Sequence, residues 1–556
     1  MAAAPITGSP VQKPGSAPRQ GALSDRLLAS WLRCRRRAWL DRHGPTERRV
    51  WSAHRALALD EQRRLFQLLV SERPGHGESA CREGRPGVMG LRLSGLSGGG
   101  QPLEGHPSLL LRLEGASQWG PFRYQPVLAR QGHHVTREHR LVLALWGRLL
   151  AERQGAPVDQ GLVLGGAGAG RPEKVNLAGS LGSQLDQSLT RLAADLERQG
   201  PPPLVSDRKK CTLCSWRDLC DGEARQQGHL SEVSGIGGKR RELLLEAGIS
   251  SLADLAAADP QHLADALAAH GEQHREMAPQ LVAQALVQQR GQARRLHHGP
   301  ALPALASPEP ALPEPALPEP ALPEPALPEP ALPELARAAG VLLYDIESDP
   351  DARDDFLHGL VRLRRQGGAA GPGGEAPDPW PASAAAAPFT PLLALQEHGE
   401  ARLWRRLAAL LERYPDWPVL HYGETEAISL LRLAERQGVT PEARARLRSR
   451  LIDVHARLRR HWLLPVPSYG LKSVAGWLGF EWRQKGVDGA RCLMWWRQWR
   501  QWHLRPTDEP SDKPSNPAAV QASRQLLQRL FRYNQDDNLA TWAVARWLLD
   551  QDQNLP

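Results

Sequence analysis

Gly340-Val341-Leu342-Leu343-Tyr344-Asp345-Ile346-Glu347 is the stretch on which the fold of this chain turns. Its apolar run from Gly340 to Ile346 predicts a buried strand. Asp345 and Glu347 stand two residues apart, so on a strand both project from one face. Two carboxylates held together repel unless a cation lies between them. A strand that ends in such a pair therefore points to a site as well as to a core.

Downstream, Gly367 to Pro388 is low in complexity and predicts a loop, Pro391 to Leu395 a strand, Ala401 to Tyr414 an amphipathic helix, and Trp417 to His421 a further strand. Strands alternating with helices predict an α/β domain over residues 338–550. Near its end lies Tyr533-Asn534-Gln535-Asp536-Asp537-Asn538, where Tyr533 and Asp537 are four apart and share a helix face. Asp536 competes with Asp537 as the acid of that face. Glu426, in His421-Tyr422-Gly423-Glu424-Thr425-Glu426, places another acid just past a strand, and Asp453 follows the apolar pair Leu451 and Ile452. The block Trp495-Trp496-Arg497-Gln498-Trp499-Arg500-Gln501-Trp502 reads either as a base-stacking surface with phosphate-binding arginines or as helix-packing core.

An Asp-x-Glu strand followed by a late Tyr-x-x-x-Asp helix resembles the DnaQ-like exonucleases with tyrosine in the last motif. The His421-Tyr422 step, Glu426 and Ser468-Tyr469-Gly470-Leu471-Lys472 are similar to bacterial RecB-like nucleases carrying a YprB-type, RNase H-like domain. The resemblance implies a two-metal phosphodiester hydrolase of 3′ to 5′ polarity. Asp345, Glu347, Glu426 and Asp537 would hold two Mg²⁺ or Mn²⁺ ions, and Tyr533 would orient the attacking water. Glu426 departs from the pattern, since the wider family has Asp there.

Upstream, Ser24 is placed to cap a helix through Leu27, Leu28, Trp31 and Leu32. Glycine is dense from Gly75 to Gly105 and predicts loops. Ser108 to Leu113 and Phe122 to Val127 predict strands, and Glu138 to Glu152 a helix, giving an α/β module over 23–228. Six cysteines in 556 residues are too few for a disulfide scaffold, and three of them fall within Cys211-x2-Cys214-x5-Cys220, with Cys34 as the distant fourth. Thiolates select zinc or an iron–sulfur cluster, and the spacing leaves both open. One early cysteine plus three late ones, with Leu32-Arg33-Cys34-Arg35-Arg36-Arg37-Ala38-Trp39-Leu40-Asp41, resembles the RecB-family nucleases with an iron–sulfur staple. That resemblance implies a [4Fe-4S] cluster in preference to zinc. It also implies a lost nuclease centre: Ser108 follows Gly105-His106-Pro107 where the family has Asp, Leu128 and Arg130 replace an acid and a lysine, and Val142 and Trp146 replace a helical Gln and Tyr. Glu104 and Glu114 are the acids left to restore one.

Residues 229–295 are rich in Leu, Ala, Gln and Arg. Leu230-Ser231-Glu232-Val233-Ser234-Gly235-Ile236-Gly237-Gly238-Lys239-Arg240 resembles a helix-hairpin-helix, in which Gly235, Gly237 and Lys239 would meet a phosphate without reading bases. The alternative is a helical hairpin for protein contacts. Ala-Leu-Pro-Glu-Pro recurs from Ala311 to Pro330. Proline at that density blocks helix and sheet, predicting a stiff spacer over 296–337 that rises about 3 Å per residue and leaves the last domain mobile. Residues 1–22, rich in Ala, Pro and Gly, predict a disordered leader.

The formal charge is +9 and the pI 9.5, which suits a polyanionic partner. The absence of a secretory signal or a long apolar run predicts a cytoplasmic protein with no membrane contact. The sequence thus predicts a multidomain α/β protein: a degenerate RecB-like module with a metal-bound Cys cluster, a helix-hairpin-helix, and a C-terminal RNase H-like exonuclease domain. Its expected partner is nucleic acid, DNA in preference to RNA, and its protein partners are unspecified. A non-catalytic nucleic-acid scaffold is the alternative.

Overall fold

The computed structural model describes residues 21–130, 134–165, 172–296, 329–350, 352–366, 379–503 and 517–553. The leader up to Gln20, most of the Pro-rich repeat and the greater part of the loop after Gln366 lie outside them. The described residues form two compact units, one ending at Val205 and taking in Lys210–Cys220, the other made of Ser206–Lys209 and the chain from Asp221 onward.

In the first unit Ser24 caps helix α1 (Asp25–Arg33), its hydroxyl accepting from the Leu27 N–H at 3.2 Å. Helix α2 (Arg35–His43) follows after Cys34 alone. Six strands form one sheet in chain order: β1 (Gly75–His76), β2 (Gly87–Met89), β3 (Leu109–Ser117), β4 (Gly120–Arg130), β5 (Gln160–Gly165) and β6 (Glu173–Asn176). Between β4 and β5, which are parallel, helix α3 (Arg137–Gln154) makes the crossover that parallel strands require. It buries Leu141, Leu145, Leu149 and Leu150 against Leu28, Tyr124 and Leu189 in the unit's largest core.

In the second unit a helical cluster runs from Leu230 to Arg290 and includes α4 (Gly238–Glu246) and α5 (Glu272–Arg290), around a core of Leu230, Leu244, Leu255, Leu263 and Leu281. Strand β7 (Arg294–Arg295) comes next, ahead of the undescribed repeat. The chain beyond the repeat builds a five-stranded sheet from β8 (Gly340–Asp349), β9 (Asp354–Arg364), β10 (Phe389–Leu393), β11 (Val419–His421) and β12 (Leu451–Asp453). Its order is β10-β9-β8-β11-β12, with β8 at the centre, antiparallel to β9 and parallel to β11. Helices α6 (Glu400–Arg413) and α7 (Glu424–Arg436) cover one face, where Leu342, Tyr344 and Ile346 meet Leu407 and Leu430. Val341 and Leu343 face the other way, into a core with Ala540, Trp542 and Leu548 of a long last helix, α11 (Pro517–Gln553). Three shorter elements lie between: α8 (Val454–His461), strand β13 (Trp462–Leu463) and α9 (Leu471–Trp477). Helix α10 (Gly489–His503) precedes α11.

The mobile-domain expectation meets a different structure. Strand β7 pairs antiparallel with β13 of the α/β domain. Gln284 of α5 donates to the Leu464 carbonyl at 2.8 Å, and the Tyr469 hydroxyl donates to its Oε1 at 3.1 Å. On the far side of the repeat, Ala331, Leu332 and Leu335 are buried in the domain core, and Arg295 reaches the Glu329 carbonyl at 2.7 Å. Both flanks of the repeat are thus pinned to one body. The length of the repeat therefore does not set how far the hairpins stand from the domain, a point invisible in the sequence because it depends on pairings across about 170 residues.

Candidate active site

The odd-numbered face of β8 changes character along its length. Val341 and Leu343 are sealed under α11, and one turn of that helix further back the same face presents Asp345 and Glu347 to Tyr533 and Asp537. Carboxylate oxygens of Asp345, Glu347 and Asp537 lie within 4.8 Å of one another. Among the described residues no other group of three ligand side chains approaches so closely.

Two of the three acids are aimed by neighbours. Asn534, fully buried on α11, donates from Nδ2 to Asp345 Oδ2 at 2.6 Å. The Trp482 indole donates to Asp537 Oδ1 at 2.6 Å, and the Tyr533 hydroxyl bonds the same carboxylate. Asp536, the rival acid, is turned away: Arg483 holds it through Nε at 2.6 Å and through its backbone N–H at 3.0 Å. Asp453 also lies elsewhere in function. Its Oδ1 accepts from the Ala456 N–H, capping α8, and from the Gly423 N–H at 3.0 Å. That second bond shapes the turn from β11 into α7, whose first turn carries Glu426.

Glu426 stands outside the 4.8 Å set but faces it, since its charge raises the pKa of both Asp345 and Glu347. Its Oε2 is buried without a hydrogen-bond partner among the described residues. Burial, and then mutual repulsion, hold Asp345 and Glu347 well above the usual carboxylate range. Burial pushes Asp537 to about 6 against the bonds from Trp482 and Tyr533, and Glu426 to about 7. Burial and the neighbouring acids raise the Tyr533 phenol, so it stays protonated and able to donate. Buried carboxylates in mutual repulsion, one with an orphaned oxygen, fit hard divalent cations such as Mg²⁺ or Mn²⁺.

A family model of the RNase H superfamily matches residues 381–549, and one of SAM-like helix-hairpin-helix tandems matches residues 228–267. The chain carries an RNase H-superfamily domain. No curated relative matches it. The matched span begins after β8, so it holds Glu426, Tyr533 and Asp537 but not Asp345 or Glu347. Backbone pairing of Leu342 with Val419 and Leu343 with Leu420 joins β8 to the RNase H-like sheet all the same.

Three of the four tryptophans of the Trp-rich block belong to the core of that domain, and Trp502 is exposed. Trp495, Trp496 and Trp499 are buried on α10, and Trp496 stacks on Phe356 with ring centroids 4.7 Å apart. Its arginines meet carboxylates: Arg497 clamps Asp349 at 2.6 and 2.8 Å, and Arg500 pairs with Glu397.

In the hairpin region Gly235 adopts φ +92°, Gly237 caps α4 without a side-chain bond, and Arg240 closes the loop onto the Gly235 carbonyl at 2.6 Å. Lys239 is left exposed at the helix N-terminus. In the first unit, Glu104 is paired with Arg92 at 2.6 Å and Glu114 is exposed, so neither acid joins a ligand set. Trp146, which stands where the resemblance calls for tyrosine, donates to buried Asp25 at 2.7 Å. Cys34 lies between α1 and α2, Cys211 and Cys214 lie in or beside a 3-10 turn, and Cys220 is on the next helix. None is in a disulfide. Cys34 and Cys220 are both raised, first by burial, with the Cys214 thiol adding to each. Among the described residues no three of these sulfurs come within 4.8 Å of one another.

The carboxylate shifts predict a pH-dependent stability. Without metal, the native state holds protons on Asp537 and Glu426 that the unfolded chain releases near pH 4, so stability falls as pH rises from about 4 through about 7, and the raised Asp345 and Glu347 carboxyls add to the fall. Bound Mn²⁺ displaces those protons, so its stabilisation grows over the same window. At a hundredfold excess over Kd it amounts to about 2.7 kcal/mol, or roughly 5–10 °C for a domain of this size. Thermal melts at pH 5 and pH 8, with and without Mn²⁺, measure this, and an equal metal shift at both values contradicts it.

Proposed function

We propose that this chain is a divalent-metal-dependent nuclease, a 3′ to 5′ exonuclease acting on DNA in preference to RNA. The observation that carries the reading is the convergence of buried Asp345, Glu347 and Asp537, with Glu426 facing them, inside an RNase H-superfamily domain. Metal ions held there would supply an activated water and neutralise the leaving oxygen. The protein's own part is to aim the ligands through Asn534 and Trp482, and to keep the Tyr533 hydroxyl protonated beside Asp537, where it orients the water. The polarity rests on the likeness to DnaQ-like exonucleases alone. Purified protein given end-labelled single-stranded DNA and RNA with Mn²⁺ or Mg²⁺ tests it: stepwise shortening from the 3′ end is the expected result. Binding without any cutting would favour the scaffold reading, which Glu426 lying outside the close set of three carboxylates supports.

The helix-hairpin-helix is the proposed grip on the phosphate backbone. Gly235 and Gly237 let the backbone approach, and the N-terminus of α4 with Lys239 supplies positive charge. Lys239→Ala is expected to weaken DNA binding uniformly across sequences and to lower the slope of log K against log salt by about 1. An unchanged slope in a fluorescence-anisotropy salt series counts against that role.

The first unit is proposed as a RecB-like module whose nuclease centre is lost, with Cys34, Cys211, Cys214 and Cys220 holding a [4Fe-4S] cluster. Zinc would draw its thiolates to about 3.8 Å from one another, given Zn–S bonds of about 2.3 Å in a tetrahedron.

A further inference from the structure

The proposed hydrolysis leaves one charge unaccounted for. Four carboxylates balance two divalent ions, so the single negative charge of the phosphodiester enters a site that is already neutral. It grows harder to accommodate in the transition state, where charge collects on the non-bridging oxygens. A cation of the protein's own is called for beside Asp537, and the structure holds one.

Lys472 is the second residue of α9. Its ammonium lies 5.0 Å from the ring centroid of Tyr533 and 5.9 Å from that of Trp482, the two side chains that bond Asp537. One N–H goes to the Val487 carbonyl at 2.6 Å. Its charge lowers the pKa of both Glu347 and Asp537, so it sits within the field of the acids. Yet among the described residues it forms no ion pair with a carboxylate.

That combination distinguishes it from a lysine that merely neutralises a buried acid. Such a lysine would close onto Asp537 or Glu347 and occupy the position of a metal ion. Here two aromatic faces and a carbonyl hold the ammonium beside the carboxylates and off them, with two N–H donors left over and the side chain open to solvent. Aromatic faces attract a cation without quenching its charge. Lysine presents a point charge that suits phosphate oxygens approached from one side.

We propose that Lys472 is a catalytic residue of this site, its ammonium contacting a non-bridging oxygen of the phosphodiester being cut. The inference rests on the exonuclease reading above. In that hydrolysis a water oxygen bonds to phosphorus and the bond from phosphorus to the 3′ oxygen breaks. A proton from the water goes to solvent, and the leaving oxygen takes one up. Lys472 neither gives nor takes a proton.

The experiment compares full-length wild type, Lys472→Met, Lys472→Arg and Asp345→Asn on a 3′-labelled single strand in Mn²⁺. It measures kcat and KM together with the Mn²⁺-induced shift in melting temperature. Methionine keeps the stem packed on the two rings and removes only the charge. Lys472→Met is expected to lower kcat about 100-fold with KM little changed, while binding Mn²⁺ at least as well as wild type. Lys472→Arg is expected to recover most of the loss. Wild-type kcat in Lys472→Met, or a loss confined to KM, overturns the inference while wild type and Asp345→Asn uphold the exonuclease reading. If wild type itself never cuts, that reading fails first and the inference goes with it.

Discussion

Asp345→Asn abolishes metal-dependent cutting, by about 1000-fold or more, and does so in a protein that is no less stable than wild type when metal is absent. The first half follows from ligand loss: removing one charged oxygen donor takes several kcal/mol of transition-state stabilisation, and about 4 kcal/mol is three powers of ten. The second half follows from the electrostatics of the empty site. Asp345 is buried beside Asp537, Glu347 and Glu426, and all of these raise its pKa. An amide keeps the shape and removes one of four mutually repelling charges. At pH 8 the metal-free variant therefore melts at or above the wild-type temperature, and the Mn²⁺-induced rise shrinks or disappears. The opposite sign of the two effects separates loss of a ligand from loss of the fold. A variant that melts early and still responds to Mn²⁺ places Asp345 in structure and moves the centre elsewhere.

The first pair of acids was legible because strand geometry is local. Positions two apart on an apolar strand must share a face, whatever the strand packs against. The helix pair Tyr533 and Asp537 was legible for the same reason at a spacing of four. Choosing between Asp536 and Asp537 was not, since neighbouring residues on a helix point about 100° apart and only the register of α11 against Trp482 and Arg483 decides. Strand β9 went unread: Asp354, Asp355, His358 and Gly359 are poor strand formers, and their place beside β8 comes from pairing along its whole length. The tryptophan block offered two readings, and burial of Trp495, Trp496 and Trp499 settles on core. The roles of Asn534, Trp482 and Lys472 were hidden because each depends on a partner far along the chain, 189 residues away in the case of Asn534 and Asp345. A signal for Asn534 did exist, since it stands three residues before Asp537 on the same helix and so near its face.

Gly359→Ala is expected to damage the site from a position that is not itself a metal ligand. Gly359 pairs with Asp345 across β8 and β9, and Asn534 of α11 lies directly over it. A methyl group there would fall 1.6 Å from Asn534 Oδ1, 2.8 Å from its Cγ and 3.0 Å from Phe389 Cε2. A long flexible side chain would swing clear, but Asn534 is short, fully buried and fixed by its bond to Asp345. Relief requires the amide to rotate or α11 to lift, and either breaks the 2.6 Å bond that aims the Asp345 carboxylate. Overpacking of this kind costs about 1–3 kcal/mol, and a misaimed ligand of this kind is expected to lower kcat about 100-fold. The double variant Gly359→Ala/Asn534→Ala identifies the cause. If the clash is with Asn534, removing the amide makes room for the methyl, and the double variant is more stable than the sum of the single changes predicts, with a coupling of about 1 kcal/mol or more. Its activity stays low, because Asp345 still lacks its donor. Strict additivity of the two changes would mean that the glycine serves the strand alone and that Asn534 does not hold Asp345 in place.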